Sequence, residues 1–392
     1  MKRAGRRILL TCGETSGDHH AARLIREILR IAPDSIVTAL GDGELELAGA
    51  DVRYRIDKYA FMGFSEIVRG LPRILSLERK LKRLLVGGEI DLIIPVDYPG
   101  FNLRLARYAR KVGVPVLYYI SPQVWAWGSW RIKRMRKMID LMAVILPFEE
   151  AIYRDVGIPV IFAGHPSLED IEAPASPKAS PDEGAVCSIL LFPGSRSQEV
   201  ERMLPVMLDA ARMIRKEYTG ARFSLGLAPL IDEKAISIPQ DLRSSFDITA
   251  DGLKKLPEAH LVIAASGTVT LQSAISGTPI VVIYKTSPVT FTIGKRLVNI
   301  PHIAMPNVLA GREIIPELLQ GDASADMIAS RALGLLKDRE AYRRMSADLL
   351  GLRESLRRDG GTGIVAEAAI RLADGEEALS IVSAIERDIH QA

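Results

Sequence analysis

Short apolar runs recur along the chain, each closed by polar or glycine-rich residues and most followed by helical periodicity. Residues 8–11 form the first run. A polar glycine loop at 13–18 follows. Residues 20–31 then place Ala21, Leu24, Ile25, Ile28 and Leu29 at helical spacing. Weaker strand candidates lie at 36–40 and 52–55. Further runs at 91–96, 114–120, 141–146 and 160–163 predict strands, with a turn at 98–102 and a helix at 103–112. A basic stretch at 131–137 reads as one helical segment. Pro174, Pro177 and Pro181 then mark a small-residue, polar stretch, the one linker the composition supports. Beyond it the alternation restarts, with strands at 189–192, 223–227, 261–264 and 280–284, a helix at 270–276, and helical periods at 324–349 and 362–389. Continuous apolar runs alternating with helices predict parallel sheets covered on both faces. The expected fold class is α/β, with two doubly wound domains facing across a cleft. Residues 1–170 form the first domain, 171–186 the linker and 187–354 the second.

Composition agrees with this picture and narrows it. A chain of 392 residues is long enough for two cores. Hydrophobic content of 48% and charged content of 25% are those of a globular protein. The net charge of +3 implies no general affinity for nucleic acid. Cys12 and Cys187 suit neither a zinc site nor a redox pair and are expected as buried thiols in a reducing compartment. The apolar run at 8–10 is too short for a signal peptide, and no stretch approaches the ~18 apolar residues of a spanning helix. A cytoplasmic protein with at most peripheral membrane contact is expected.

Residues 61–86 are the exception to an even distribution of charge. Phe61, Met62, Phe64, Ile67 and Val68 are followed by Leu71, Ile74, Leu75, Leu77, Leu81, Leu84 and Leu85, an apolar stripe interleaved with Arg69, Arg73, Arg79, Lys80, Lys82 and Arg83, with one acid between these cations, Glu78. Such a helix suits an anionic membrane surface. It equally suits a core-packing helix with a solvated basic face.

The candidate chemistry sits at strand ends. Pro193, Gly194, Ser195 and Arg196 separate an apolar run from a helix with Glu199 and Glu201 in its first turn. That puts a helix N-terminus at the carboxyl edge of a sheet, where anions bind, with Arg196 able to fork onto phosphate oxygens. Ser266, Gly267 and Thr268 repeat the logic in the same half. The first half instead offers Asp97 at a strand end. Phosphate donors in one half and a carboxylate in the other suit transfer from a nucleotide-activated donor to a hydroxyl acceptor. The sequence has no Gly-x-Gly-x-x-Gly, no P-loop lysine, no His/Cys cluster and no Asp-x-Asp pair, so neither a cofactor nor a metal is predicted. A kinase, an epimerase or a binding protein of this architecture remains open on these residues alone.

Several loops, taken in order, narrow that choice. They are Gly13-Glu14-Thr15-Ser16-Gly17-Asp18, Met62-Gly63-Phe64-Ser65-Glu66, Asp97-Tyr98-Pro99-Gly100-Phe101-Asn102 and Ser121-Pro122-Gln123-Val124-Trp125-Ala126-Trp127. Leu146-Pro147-Phe148-Glu149, Gly164-His165-Pro166, Pro193-Gly194-Ser195-Arg196, Ala265-Ser266-Gly267-Thr268 and Pro306-Asn307-Val308-Leu309-Ala310-Gly311-Arg312-Glu313 continue the series. The set resembles the lipid-A-disaccharide synthase family, glycosyltransferases of family 19 with the GT-B fold of two Rossmann-like domains. The resemblance implies that UDP-2,3-diacylglucosamine donates its sugar to the 6-hydroxyl of 2,3-diacylglucosamine 1-phosphate. A β-1,6-linked disaccharide phosphate and UDP are formed, with inversion at the anomeric carbon.

The resemblance also implies roles. Asp97 is the candidate base, with Glu14 near the reacting sugars as a possible partner. Arg196 grips the donor diphosphate, with Ser195, Ser266, Gly267 and Thr268 supplying further donors and Asn307 and Glu313 lining the donor pocket. Gln272 stands where GT-B enzymes commonly carry a ribose-binding glutamate, so a weaker or rearranged ribose grip is expected. Ser16, Met62, Phe64, Trp125 and Trp127 belong to the acceptor and lipid side. His165 is expected at the hinge, and His19 and His20 on the surface. Acylated substrates favour peripheral binding at the cytoplasmic face of the inner membrane. The expected state is a monomer or homodimer without nucleic acid, and helices after about residue 355 are expected to rejoin the first domain.

Overall fold

The computed structural model describes residues 5–13, 15–55, 64–182, 184–228, 231–287, 291 and 301–391. The chain divides into two compact units, Met1–Pro166 with Arg358–Ala392, and Ser167–Arg357.

Unit 1 is built on parallel strands β1 (Arg7–Thr11), β2 (Ile36–Gly41), β3 (Asp51–Arg55), β4 (Leu92–Pro95), β5 (Leu117–Tyr119), β6 (Leu141–Val144) and β7 (Val160–Phe162). Their order is β3-β2-β1-β4, continued into β5-β6-β7 through the parallel bridges Ile93↔Val116 and Val96↔Tyr119. The central strands are apolar throughout because both faces are covered. From β1 the chain moves outward to β2 and β3, then returns to β4 on the other side. The strand order therefore reverses between β1 and β4, and the carboxyl ends of those strands flank the switch point where open α/β sheets bind ligands.

Helix α1 (Thr15–Ile31) starts five residues before the expected 20. The loop after β1 is therefore shorter than the sequence pattern suggests, and Asp18 is buried within the first turns of α1. Its Oδ1 accepts from the Cys12 thiol (3.1 Å) and the Asp42 amide (2.8 Å), tying the loops after β1 and β2 together. Both cysteines are buried free thiols. Helix α2 (Gly43–Leu47) follows β2.

Helix α3 (Phe64–Val86) packs part of the apolar stripe into the core. Leu77, Leu81 and Leu85, spaced four apart, are buried in the core beside Ile93, Leu105 and Val116. Arg73, Arg79, Lys80 and Arg83 are exposed on the other side. Glu78 is buried and holds Lys82 (2.6 Å) and Arg104 (3.2 Å). Over residues 72–86 Leu77, Leu81 and Leu85 are core-packing, while the basic residues meet solvent together with Leu75 and Val86, which are 43% and 61% exposed.

Helix α4 (Pro99–Lys111) begins inside the expected turn, with Pro99 at its first position. After the short helix α5 (Val124–Trp127), the expected helix at 131–137 is broken into a 3₁₀ turn, Ser129–Arg131, and one helical turn, α6 (Ile132–Met135).

The last two helices, Gly361–Ala373 and Ala378–Gln391, belong to unit 1. Gly361 is required there, since a Cβ would stand 1.8 Å from the Ala163 carbonyl oxygen. Arg6 forks onto Asp374 at 2.9 and 2.8 Å.

Unit 2 has the parallel order β10-β9-β8-β11-β12-β13, from β8 (Cys187–Phe192), β9 (Ala221–Gly226), β10 (Phe246–Thr249), β11 (Leu261–Ala265), β12 (Ile280–Tyr284) and β13 (Glu317–Leu319). Here the order reverses between β8 and β11. The edge strands β10 and β13 have no counterpart in the sequence reading. They are short and only partly buried, so they lack the apolar run that marks the central strands.

The proline-rich segment is no free tether. Lys178 Nζ donates to the carbonyls of Leu256 (3.1 Å), Pro257 (2.7 Å) and Ala259 (2.8 Å) and to Thr278 Oγ1 (2.7 Å). Tyr218 Oη donates to the carbonyls of Pro181 and Asp182. The segment is thereby fastened to unit 2. Substituting Lys178→Met leaves several polar acceptors without a donor, and the expected loss in unfolding free energy is about 3 kcal/mol. Equilibrium urea unfolding of the two proteins checks this.

Candidate active site

In unit 1 the site is defined by backbone strain at the switch point. Asp97 (φ 46°) and Tyr98 (φ 48°) are consecutive left-handed residues directly after β4. Ile120 (φ 61°), after the adjacent β5, is a third. This conformation is costly for non-glycine residues, above all for β-branched isoleucine, and persists only where the surroundings over-determine it.

Here they do. Asn102, wholly buried in α4, donates through Nδ2 to the carbonyls of Asp97 (2.8 Å), Val96 (3.1 Å) and Thr11 (3.3 Å). Its Oδ1 accepts from Thr11 Oγ1 (2.9 Å). Tyr118 Oη donates to the Asp97 carbonyl (2.6 Å), and the Asp97 amide donates to the Tyr119 carbonyl (3.0 Å). One side chain therefore couples the end of β1 to the end of β4. The Tyr98 ring fills the space above Gly13, where a Cβ would come within 2.0 Å of the ring. The glycine loop after β1 and the strained turn after β4 thus fit each other only because residue 13 has no side chain.

The Ser121–Trp127 segment is anchored by a buried acid. Glu149, at the third position of α7 (Pro147–Asp155), is 1% exposed. Its Oε1 accepts from Ser121 Oγ (2.6 Å) and Trp125 Nε1 (3.0 Å), and Oε2 accepts from the Leu146 amide (3.3 Å). The Trp125 ring meets Phe148 edge-on at 4.8 Å. Burial raises the Glu149 carboxyl from its ordinary 4.5 to about 7, against the opposing pull of Ser121, Trp125 and the amides of Leu146 and Ile145. The acid was visible only as part of a motif, and nothing in the sequence marks its partners.

His20 corrects the surface expectation. It is buried against His165, ring to ring at 6.3 Å, and burial lowers the two imidazoles to about 3 and about 4 respectively. His19 lies outward and contacts Glu44 at 2.8 Å. Glu14 and Met62, and the side chains of Ser16, Phe64 and Trp127, lie outside the described residues.

In unit 2 the two expected phosphate loops follow β8 and β11, on either side of the second switch point. Helix α8 (Ser197–Glu217) has Arg196 as its N-cap, and its guanidinium, 67% exposed, lies 3.9 Å from Glu199 Oε1. The loop already holds an anion of its own. Glu199 Oε2 accepts from the amides of Ser195 (2.9 Å) and Arg196 (3.3 Å), a capping arrangement. The Ser195 amide is therefore engaged, while its hydroxyl side is exposed. Ser266, Gly267 and Thr268 lead into α9 (Thr268–Ile275), and a Cβ on Gly267 would meet nothing within 4 Å. Backbone there is open to a ligand, and the first amides of a helix have no partner within it. Gln272 is half-buried on α9.

Asn307 corrects the expectation of a pocket-lining residue. It is wholly buried, and all of its hydrogen-bonding capacity is used within the protein. Nδ2 donates to the Ile315 carbonyl (2.9 Å) and Glu317 Oε1 (2.7 Å), and Oδ1 accepts from the amides of Ile314 (2.8 Å) and Ile315 (3.0 Å). It shapes the loop that exposes Glu313.

Proteins of similar architecture define the class first. The solved glycosyltransferase of kitacinnamycin has a TM-score of 0.61 at 17% identity, covering 94% of this chain and 99% of that one. A putative UDP-N-acetylglucosamine 2-epimerase from Listeria monocytogenes also gives 0.61, at 14% identity, covering 94% and 96%. At such identities the likeness fixes the fold alone, and that fold is the GT-B type with two Rossmann-like domains.

Sequence goes further. Residues 8–359 match the profile of the lipid-A-disaccharide synthetase family. The lipid-A-disaccharide synthase of Nitrosococcus oceani is 37% identical, covering 96% of this chain and 98% of that one. Its counterpart in Geobacter sulfurreducens is 39% identical, covering 91% and 94%. The chain belongs to the lipid-A-disaccharide synthase family.

The Glu149 environment carries a pH signature. A carboxyl held at about 7 in the fold and near 4.5 unfolded binds more protons when native, so its contribution weakens as pH rises through that window. The stability advantage of wild type over Glu149→Gln is expected to shrink by up to about 3 kcal/mol between pH 4.5 and pH 7. Urea unfolding across this range checks it, and a constant gap would refute the assigned titration.

Proposed function

We propose that this chain is an inverting glycosyltransferase that joins UDP-2,3-diacylglucosamine to 2,3-diacylglucosamine 1-phosphate. The products are the β-1,6-linked disaccharide 1-phosphate and UDP. The observation that carries this reading is the family match across residues 8–359. The strained carboxylate-bearing turn at one switch point and the arginine-bearing helix start at the other support it.

In this reading Asp97 takes the proton from the acceptor 6-hydroxyl as that oxygen attacks the anomeric carbon. The bond from that carbon to the diphosphate oxygen breaks, and its electron pair leaves on UDP. Arg196 and the first-turn amides of α8 stabilise the departing charge. Glu199 holds the loop from within, and the exposed guanidinium exchanges its 3.9 Å contact with Glu199 for the diphosphate. Ser195, Ser266, Gly267 and Thr268 add donors, Gln272 receives the ribose, and Asn307 supports Glu313 from behind. Glu14, Ser16, Met62, Phe64, Trp125 and Trp127 serve the acceptor and its acyl chains. Those chains bring the protein to the inner membrane's cytoplasmic face as a peripheral protein. Among the described residues no helix is long and apolar enough to cross a membrane.

Supplying both lipids and following UDP and disaccharide together tests the reading. The expected result is equimolar UDP and disaccharide. Isomerised donor without acceptor consumption would instead indicate an epimerase. Asp97→Asn is expected to lower kcat by about 10²- to 10⁴-fold, and Arg196→Ala to raise donor KM as well as lower kcat. Near-full turnover by Asp97→Asn would remove Asp97 as the base.

A further inference from the structure

One arginine of unit 2 stands at the opposite end of α9 from the phosphate loop. Arg353 lies in the last turn of the helix Arg339–Ser355 and is partly buried. Its Nη1 donates to the carbonyls of Ile275 (2.9 Å) and Ile171 (2.8 Å), and Nη2 reaches the Leu168 carbonyl at 3.5 Å. Ile275 is the last residue of α9, so its carbonyl has no donor within the helix, and a cation suits that end of the dipole. Leu168 and Ile171 follow Pro166, where the chain leaves unit 1. Arg357, the last residue of unit 2, comes in the turn after Arg353. The arginine belongs to a row. Tyr342, Ser346, Leu350 and Arg353 recur at helical spacing on one face of Arg339–Ser355. Tyr342 Oη donates to the His260 carbonyl (2.5 Å) just before β11. Ser346 Oγ donates to the Gly277 carbonyl (2.7 Å) and accepts from the Lys178 amide (2.8 Å). A Cβ on Gly277 would stand 2.7 Å from Leu350 Cδ2. This face therefore lies against the C-terminal end of α9.

We infer that Arg353 is a positioning residue for the transfer: it joins the chain crossing at 167–171 to α9, so that the crossing and the diphosphate loop at Ser266–Thr268 respond to the donor together. This rests on the donor site proposed above. Thr270 Oγ1 donates to the Gly267 carbonyl (2.7 Å), which binds the loop to the first turn of α9. The helix has eight residues and spans roughly 12 Å, a rod short enough to pass a tilt at its start on to its end. At that end Arg353 holds Ile275 and Ile171 through the same nitrogen. A residue that merely capped α9 would need only the Ile275 carbonyl. The slightly shorter of the two bonds goes instead to Ile171, outside the helix, and Nη2 extends the grip to Leu168. The charge is thus spent on fastening two segments to each other.

The test is amide hydrogen exchange of the full-length protein, read by mass spectrometry with and without UDP. In the wild type UDP should slow exchange across 266–277 and also across 167–172. Arg353→Gln should bind UDP within about threefold of wild type, since no phosphate contact is removed, yet lose the response at 167–172. Its kcat should fall by about tenfold with donor KM little changed. Arg353→Lys should recover most of the response, because an ammonium can bridge several carbonyls, as Lys178 does in the same unit. Lys178→Met, expected to be less stable, should keep the response, which separates the coupling from stability. The inference is overturned if the wild type binds UDP without any change at 167–172, if Arg353→Gln keeps that change, or if Lys178→Met loses it as fully. The wild-type comparison decides the first point even if Arg353→Gln does not fold. A wild type that fails to bind UDP would overturn the donor site itself and the inference with it.

Discussion

The site in unit 1 depends on the hydrogen bonds that Asn102 makes across the switch point. Two successive left-handed residues at the end of a buried strand are unfavourable, and Pro99 further restricts Tyr98. Asn102 and Tyr118 hold that turn by gripping the Asp97 carbonyl from two elements. Because Asn102 also binds both the carbonyl and the hydroxyl of Thr11, the position of the turn is fixed relative to the loop that carries Gly13. The conformational cost at Asp97 is offset by bonds from the Asn102 and Tyr118 side chains. The result is a carboxylate at the carboxyl edge of the sheet whose backbone has little freedom to wander.

Unit 2 solves its half of the problem differently. Its helix start is held by an internal acid, Glu199, which satisfies the Ser195 and Arg196 amides and leaves the arginine side chain outside. The two units share a rule all the same. In each, the informative residues follow the two central strands between which the strand order reverses, and a buried or half-buried polar side chain sets the loop. Asn102 is such a side chain, and Glu149 and Asn307 act likewise on loops beside other strands. The first two hold loops of unit 1 and the third a loop of unit 2, and all three spend their polar atoms on the protein.

Much of this architecture is legible in the sequence, because buried parallel strands read as unbroken apolar runs. The central strands appear for that reason, while β10 and β13 escape because edge strands alternate or are too short to show a period. Helix starts were displaced wherever small polar residues lie inside the first turn, as at Thr15 and Pro99. The loops bearing Asp97, Arg196 and Ser266 are visible as breaks at strand ends. What the sequence does not contain is the tertiary partner. Asn102 reads as the end of a turn, His20 as a polar surface residue and Lys178 as part of a linker. Each is buried or half-buried because of groups far away in the chain. The stripe on α3 shows the same limit, since periodicity gives a face but not what covers it.

The most direct test of this account is the turnover of Asn102→Ala, measured on protein shown to be folded at the assay temperature. If Asn102 aims Asp97, kcat falls by about a hundredfold, as expected for a reacting group displaced by roughly an ångström, while the KM for donor changes little. A folded Asn102→Ala protein with wild-type kcat would contradict the claim that the strained turn sets the chemistry.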